Sequence, residues 1–207
     1  MTGQCPPPGL SLRLCAPPPW SVLAHRAMIE AGGTKLIVVD TETAHLQPYR
    51  GSTTEVAWLD LGRGIGGSFV PPHRLDGADR ESLTISRYWD RIAAQRRDGE
   101  QVAAFHAMLA GGRRSVLVGS NPAFDAAHLN MLFAWHGLSA SPWSHRLVDV
   151  AAASYWLSPA VAVDAPCGLA DACTRMGITT VGHHDAWEDV VMTARLWHPL
   201  EARRAAE

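Results

Sequence analysis

Apolar positions along the chain change period several times, and each change marks an element. Leu36, Ile37, Val38 and Val39 form a short unbroken run rich in β-branched residues, the signature of a strand buried on both faces. From Thr53 to Leu61 the alternation is looser, with Val56, Trp58 and Leu59. A glycine-rich turn from Gly62 to Gly67 then leads to Ser68, Phe69, Val70 and Pro71. This reads as strand, turn, strand, an antiparallel addition to the first strand. The glycines lack the following helix that a dinucleotide loop needs to present a phosphate site. Helical spacing then takes over, with short helices over 79–85 and 88–94. An amphipathic helix over 99–110 carries Val102, Phe105 and Leu109 on one face and stops at Gly111 and Gly112. Val116 to Gly119 is a second buried strand, and Pro122 opens a helix that runs to His136 and closes at Gly137. A brief strand at Leu147 and Val148 precedes a helix N-capped by Asp149 and running through Leu157. Helices over 168–176 and from 186 to about 197 complete the pattern. Strands first and strand–helix alternation afterwards predict an α/β domain around a mixed sheet.

The first 33 residues break this order. Triple prolines at 6–8 and 17–19, with Gly32 and Gly33, bracket a stretch without sustained periodicity. A flexible, Pro-rich N-terminal arm is expected there, then a domain over 34–200 and a short tail over 201–207. Met28, just ahead of the first strong strand, is a candidate native start. The 207 residues are 47% hydrophobic and 18% charged, which suffices for one buried core and excludes collagen-like, coiled-coil and wholly disordered classes. A net charge of −2 argues against sequence-independent wrapping of nucleic acid, but not against a site that grips a few phosphates. Of the 18 basic residues only Lys35 is lysine. Cysteines at 5, 15, 167 and 173 lack zinc-knuckle spacing and read as free thiols of a reducing compartment. No apolar run approaches the roughly 18–20 residues of a membrane span, and the early prolines break any secretory signal. A cytoplasmic location with no membrane partner is the expectation. Most of the eight tryptophans are expected in the core, and the histidines outside 183–184 share no ligand spacing.

Three acidic clusters carry candidate chemistry. Asp40 and Glu42 follow the first buried strand, and side chains two apart on extended chain point the same way. Both carboxylates thus leave the strand's carboxyl end, where α/β sheets place ligands. Two adjacent acids repel unless neutralised, and a hard divalent cation with oxygen ligands does that. Asp125 lies in the first turn of the helix opened by Asn121 and Pro122, where an acid also suits the helix dipole. In the third cluster Asp185 can N-cap a helix and Glu188 can close a capping box. On one unbroken helix His184 and Asp189 would stand roughly 140° apart; with His184 in the preceding loop, both can face one site. A zinc-protease reading fails for want of a His-Glu-x-x-His run.

Asp40-x-Glu42, Asp125 within Asn-x-x-Phe-Asp, and His184 five residues before Asp189 together resemble the DEDD exonucleases of the DnaQ-like class, His subtype. The resemblance covers roughly Lys35 to Leu200; the Tyr subtype would require tyrosine where Asp185 stands. It implies an RNase H-like fold, a mixed five-stranded sheet flanked by helices. It also implies 3′→5′ removal of nucleotides with two divalent cations, Mg²⁺ or Mn²⁺. By the same resemblance Asp40 bridges both ions, Glu42 and Asp189 hold the first, Asp125 supports the second, and His184 takes the proton of the attacking water. Thr41 and Thr43 would meet the terminal nucleotide, Leu46 would wedge against the last bases, and Asn121 and Phe124 would line that pocket. The physical logic agrees, since two ions about 4 Å apart stabilise both the attacking and the leaving oxygen of a phosphoryl displacement.

The expected partner is the 3′ end of a single strand, DNA favoured over RNA, in proofreading or repair, with a DNA polymerase as a candidate protein partner. One rival is an exoribonuclease of the RNase T or oligoribonuclease kind, which shares every catalytic residue. Another is a catalytically silent nucleic-acid-binding module, against which the filled acidic positions argue.

The offset to Asp189 singles out His184, not His183, as the general base. His184→Ala should lower single-turnover cleavage of a labelled oligonucleotide by ~10²–10⁴-fold and abolish the acid limb of its rate profile between about pH 5.5 and 9, since a histidine base must be neutral to accept. His183→Ala should be mild. A crippled His183→Ala with an active His184→Ala would shift the assignment by one residue.

Overall fold

The computed structural model describes residues 13–14, 33–112, 114–157, 168–180 and 185–206. Six strands form one sheet in the order β1-β4-β3-β2-β5-β6. These are β1 (Arg13–Leu14), β2 (Lys35–Thr43), β3 (Thr53–Asp60), β4 (Ile65–Phe69), β5 (Ser115–Gly119) and β6 (Val148–Asp149). β2 runs parallel to β5 and antiparallel to β3; β5 and β6 are parallel, and β3 and β4 antiparallel. The five strands of the domain make the expected mixed sheet, and β1 lengthens it at the edge. Arg13 and Leu14 of the proline-rich arm pair with Gly66 and Ile65, a contact the aperiodic sequence around them does not announce.

The helices are α1 (Arg80–Ile85), α2 (Tyr88–Arg91), α3 (Gly99–Ala110), α4 (Pro122–Trp135), α5 (Val150–Leu157), α6 (Leu169–Arg175) and α7 (Ala186–Ala206). Alternation along β2 and β3 splits the core in two. Ile37, Val39, Val56 and Trp58 pack with Phe105, Leu129 and Phe133 of α3 and α4. Val38, Ala57 and Leu59 pack on the other face with Val150, Cys173, Val190 and Leu196 of α5, α6 and α7. This parity decides the site: Asp40 and Glu42 share the face of Val38, towards α7, and Thr41 shares that of Val39, towards α4.

Several local expectations hold for identifiable reasons. Asp60 Oδ1 accepts from the Gly62 and Arg63 backbone N–H groups, and its carbonyl accepts from those of Arg63 and Gly64; this fixes the β3–β4 turn. Asp98 and Asp149 cap α3 and α5 through bonds to Glu100, Gln101 and Ala152 N–H groups. Lys35, buried at the head of β2, donates its ammonium to the carbonyls of Met108 (2.7 Å) and Gly111 (2.8 Å), closing the end of α3. A Cβ at Gly119 would lie 3.2 Å from the Val39 carbonyl oxygen, so glycine lets β5 and α4 approach the end of β2 closely.

Other expectations need correction. α2 spans one turn, not 88–94, and is followed by turns. α7 does not stop near Trp197 but continues to Ala206 through Pro199. The proline forfeits one backbone bond, while buried Leu196 and Leu200 on either side keep this stretch on the core. Of the seven described tryptophans four do pack in or against the cores, Trp58 fully buried and Trp143, Trp187 and Trp197 partly, while Trp89, Trp135 and Trp156 are largely exposed. Among the described residues no helix is long and apolar enough to cross a membrane.

Deleting residues 1–27 should remove only the two-residue β1 pairing from the described sheet. An edge ladder that short contributes little, so melting temperature and turnover should change only slightly. A loss of more than about 10 °C in a thermal melt would mean that the arm docks far more extensively.

Candidate active site

The site begins where β2 ends. Its pairing places Glu42 opposite Glu55 of β3, and the register slips by one residue between Glu42 and Thr43; Thr54 is the extra residue, a bulge of the kind that re-aims side chains. Asp40 is partly buried, and Glu42 and Glu55 are buried. On the opposite face the Thr41 hydroxyl donates to Asp125 Oδ1 at 2.8 Å. Asp125, 3% exposed, is thus tied to the strand, and its own backbone N–H in the first turn of α4 also donates to its carboxylate, as suits an acid at a helix N-terminus. Asn121, in front of α4, has φ 57° and ψ 53° and makes no side-chain capping bond; asparagine tolerates this left-handed geometry better than most residues.

The third cluster enters from α7. Asp185 Oδ1 accepts from the Trp187 and Glu188 backbone N–H groups, the expected N-cap. The reciprocal half of the capping box does not form: Glu188 Oε2 is buried without a hydrogen-bond partner. Asp189, one turn on, donates its backbone N–H to the Asp185 carbonyl at 2.9 Å. Arg91 of α2 joins this cap to the sheet, donating to Asp185 Oδ2 (2.6 Å) and Glu55 Oε2 (3.1 Å) and lying 3.9 Å from Glu42 Oε1.

Electrostatics show what this crowding costs. Burial, followed by the charges of Asp125, Asp189, Glu42 and Glu55, raises Asp40 well above the carboxylate range. Burial, then Glu55 and Asp189, pushes Glu42 up to about 8, with Arg91 opposing. Burial raises Asp125 to about 7 against the Thr41 hydrogen bond, and Asp189 also rises to about 7, through burial, Asp185 and Glu188. Among the described residues no three carboxylate, imidazole or thiolate groups close into a finished cation cage; the four acids sense one another without converging. An all-oxygen set of mutually repelling, partly protonated acids fits a hard divalent cation, whose charge would draw them together.

The structure therefore brings Asp40, Glu42, Asp125 and Asp189 within electrostatic reach of one another at the end of β2. Thr43 is buried beside them, and its neighbour Thr41 is committed to Asp125. Leu46 stands 68% exposed in the loop after β2, its carbonyl 3.4 Å from Nε2 of buried His128. A Cβ at Gly51 would lie 2.5 Å from the His45 Cβ, so glycine lets that loop fold back on itself. Phe124 is half-buried, its ring 4.5 Å from that of His128, and Asn121 is exposed. His183 and His184 lie outside the described residues. Sequence reasoning misses Glu55 and Arg91. Aligning the two strands in antiparallel register would find Glu55, whereas no local signal marks Arg91.

The mixed sheet and its flanking helices have RNase H-like architecture. Residues 37–197 match the RNase T family model, described as exonuclease, and the chain belongs to that exonuclease family. No curated protein matches the chain. Among solved structures it is similar to E. coli exonuclease I. The zinc-bound complex of that enzyme with single-stranded DNA has 16% identity and a TM-score of 0.68, over 83% of this chain and 41% of that one. Its complex with a dA16 oligonucleotide has 17% identity and a TM-score of 0.67, over 84% and 42%. The chain thus spans about two fifths of the exonuclease I chains, and at such identity the likeness establishes the fold.

The raised carboxyl pKa values make a stability prediction. A carboxyl whose folded pKa lies above its unfolded value of about 4 stabilises the fold while protonated and loses that contribution as pH rises through the folded pKa. With Glu42 at about 8 and Asp125 and Asp189 at about 7, the melting temperature of the chelated protein should fall from pH 5 to pH 8. Glu42→Gln should flatten that fall and raise the value at pH 8 by several degrees, about 2–4 °C for each kcal/mol relieved, while abolishing cleavage. A Glu42→Gln melt as pH-dependent as the wild type, or cleavage near normal at saturating Mg²⁺, would contradict the site.

Proposed function

We propose that this protein is a divalent-cation-dependent 3′→5′ exonuclease acting on single-stranded DNA ends. The observation that carries the reading is the gathering of Asp40, Glu42, Asp125 and Asp189, all with raised pKa values, at one strand end of a chain in an exonuclease family. A module that merely bound nucleic acid would not collect negative charge beside a polyanion.

In this reading Asp40 would serve both of two divalent cations, Mg²⁺ or Mn²⁺, Glu42 and Asp189 would help hold the first, and Asp125 would support the second. Such ions, when bound, neutralise charge developing at the scissile phosphate and make the attacking water more acidic. The remaining roles belong to the chain. Thr41 holds Asp125 in orientation through its 2.8 Å hydrogen bond. His184, by its place in the sequence, accepts the proton of the attacking water. Exposed Leu46 packs against the terminal bases, with its loop tied to His128 and with Thr43, Asn121 and Phe124 around the terminal nucleotide. DNA is favoured over RNA because solved structures of like fold include complexes of exonuclease I with single-stranded DNA.

The test compares 5′-labelled DNA and RNA oligonucleotides of one sequence, with Mg²⁺, with Mn²⁺ and with chelator. The expected result is a ladder shortening stepwise from the 3′ end, faster on DNA and absent with chelator. A faster RNA ladder would reassign the substrate. Chelator-resistant cleavage, internal cuts or no cleavage with either ion would overturn the reading.

A further inference from the structure

Arg91 is not among the residues assigned above to the cations or the nucleotide, yet it physically joins the two halves of the site. Its Nε and Nη2 donate to the Ser86 carbonyl at 3.3 and 3.2 Å, anchoring the guanidinium to the turn between α1 and α2. From that anchor the outer nitrogens reach separate elements. Nη1 donates to Asp185 Oδ2 at 2.6 Å, on the cap of α7. Nη2 donates to Glu55 Oε2 at 3.1 Å and lies 3.9 Å from Glu42 Oε1, on the sheet. The Arg91 side chain is only 15% exposed, which places these charge-assisted bonds among the stronger ones. Asp185 transmits the grip. Its other oxygen caps the Trp187 and Glu188 N–H groups, and its carbonyl accepts from Asp189, so fixing Asp185 fixes Asp189 one turn along.

We propose that Arg91 is a positioning residue that sets the separation between Asp189 on α7 and the Asp40–Glu42 pair on β2. Only a planar fork with donors on two sides spans both elements at once; a lysine ammonium is a point charge and does not. The inference rests on the cation-binding reading of the same carboxylates, and it has a consequence opposite to simple electrostatics. Arg91 is a positive charge beside Glu42, so removing it would, by Coulomb attraction alone, tighten the binding of a divalent cation. If Arg91 positions the ligands, removing it weakens binding, as loss of groups that orient metal ligands does by about 10–100-fold.

The experiment measures Mn²⁺ binding to the full chain without nucleic acid, by electron paramagnetic resonance of the free ion, for wild type, Arg91→Gln, Arg91→Lys and Asp185→Asn. Asp185→Asn keeps an oxygen to cap α7 but removes the charge that Arg91 grips, and it serves if the Arg91 variants fail to fold. The expected result is at least tenfold weaker Mn²⁺ binding in both Arg91 variants, with no rescue by lysine, and a loss in the same direction in Asp185→Asn. In cleavage assays kcat should fall while KM for the oligonucleotide and its salt dependence stay unchanged, as a positioning role requires. Mn²⁺ binding that is unaltered or tighter in Arg91→Gln overturns the proposal. So does a raised KM with unaltered Mn²⁺ binding, which would make Arg91 a phosphate contact. A wild type that binds no Mn²⁺ overturns the cation-binding reading itself, and this inference falls with it.

Discussion

Glu42 and Glu55 face each other across the β2–β3 pair, with Asp40 and Asp189 beside them, and burying that much negative charge costs free energy that something must offset. Much of the surrounding architecture serves this end. The parallel pairing of β2 with β5 and its antiparallel pairing with β3 hold β2 rigidly at the centre of the sheet, so repulsion cannot be relieved by bending the strand away. Thr41 offers Asp125 a hydroxyl donor from below, and Arg91 offers Glu55 and Asp185 a guanidinium from the side. What these leave uncompensated appears as raised pKa values, a store of unfavourable free energy that cation binding would release. Sites whose groups are poised in this way are where functional chemistry is found.

The division of labour across the sheet follows from a period of two. Alternate residues of β2 face α4 or α7, so four consecutive positions deliver two carboxylates to one layer and two threonines to the other. Each helix then needs to contribute only one acid near its N-terminus, Asp125 from α4 and Asp189 from α7, for the four to stand within electrostatic reach at the strand's end. A site assembled this way is held by the packing of both cores, and loops are needed only for contacts with the end of the strand, as at Leu46.

Much of this is legible in the amino-acid sequence, because the signals are local. The run Leu36 to Val39, the stop at Gly111 and the proline at position 122 each rest on neighbours within a few residues; α3 and α4 appear there within a residue of expectation, while β2 runs on to Thr43. The acids at 40, 42, 125 and 189 are legible as an ordered set, each following a recognisable element. What escapes depends on contacts distant in sequence. Arg91 meets Asp185 across 94 positions, and Glu55 matters only once the β2–β3 register is known. The continuation of α7 beyond Pro199 is decided by apolar packing on the core, which outweighs the local cost of proline. The β1 pairing depends on an edge of β4 that the arm's own sequence does not specify.

Lys35 carries a consequence of a different kind. It is the chain's sole lysine, and it opens the central strand, paired with Ser115, with its ammonium spent on two helix-end carbonyls. A protease that cuts only after lysine therefore has a single peptide bond to attack, and that bond becomes accessible when β2 leaves the sheet. Cleavage by such an enzyme would ignore fraying of loops and surface helices and count openings of the core alone. Under conditions where reclosing outpaces cutting, its rate measures the free energy of that large-scale opening. The native sequence thus contains its own reporter of global stability.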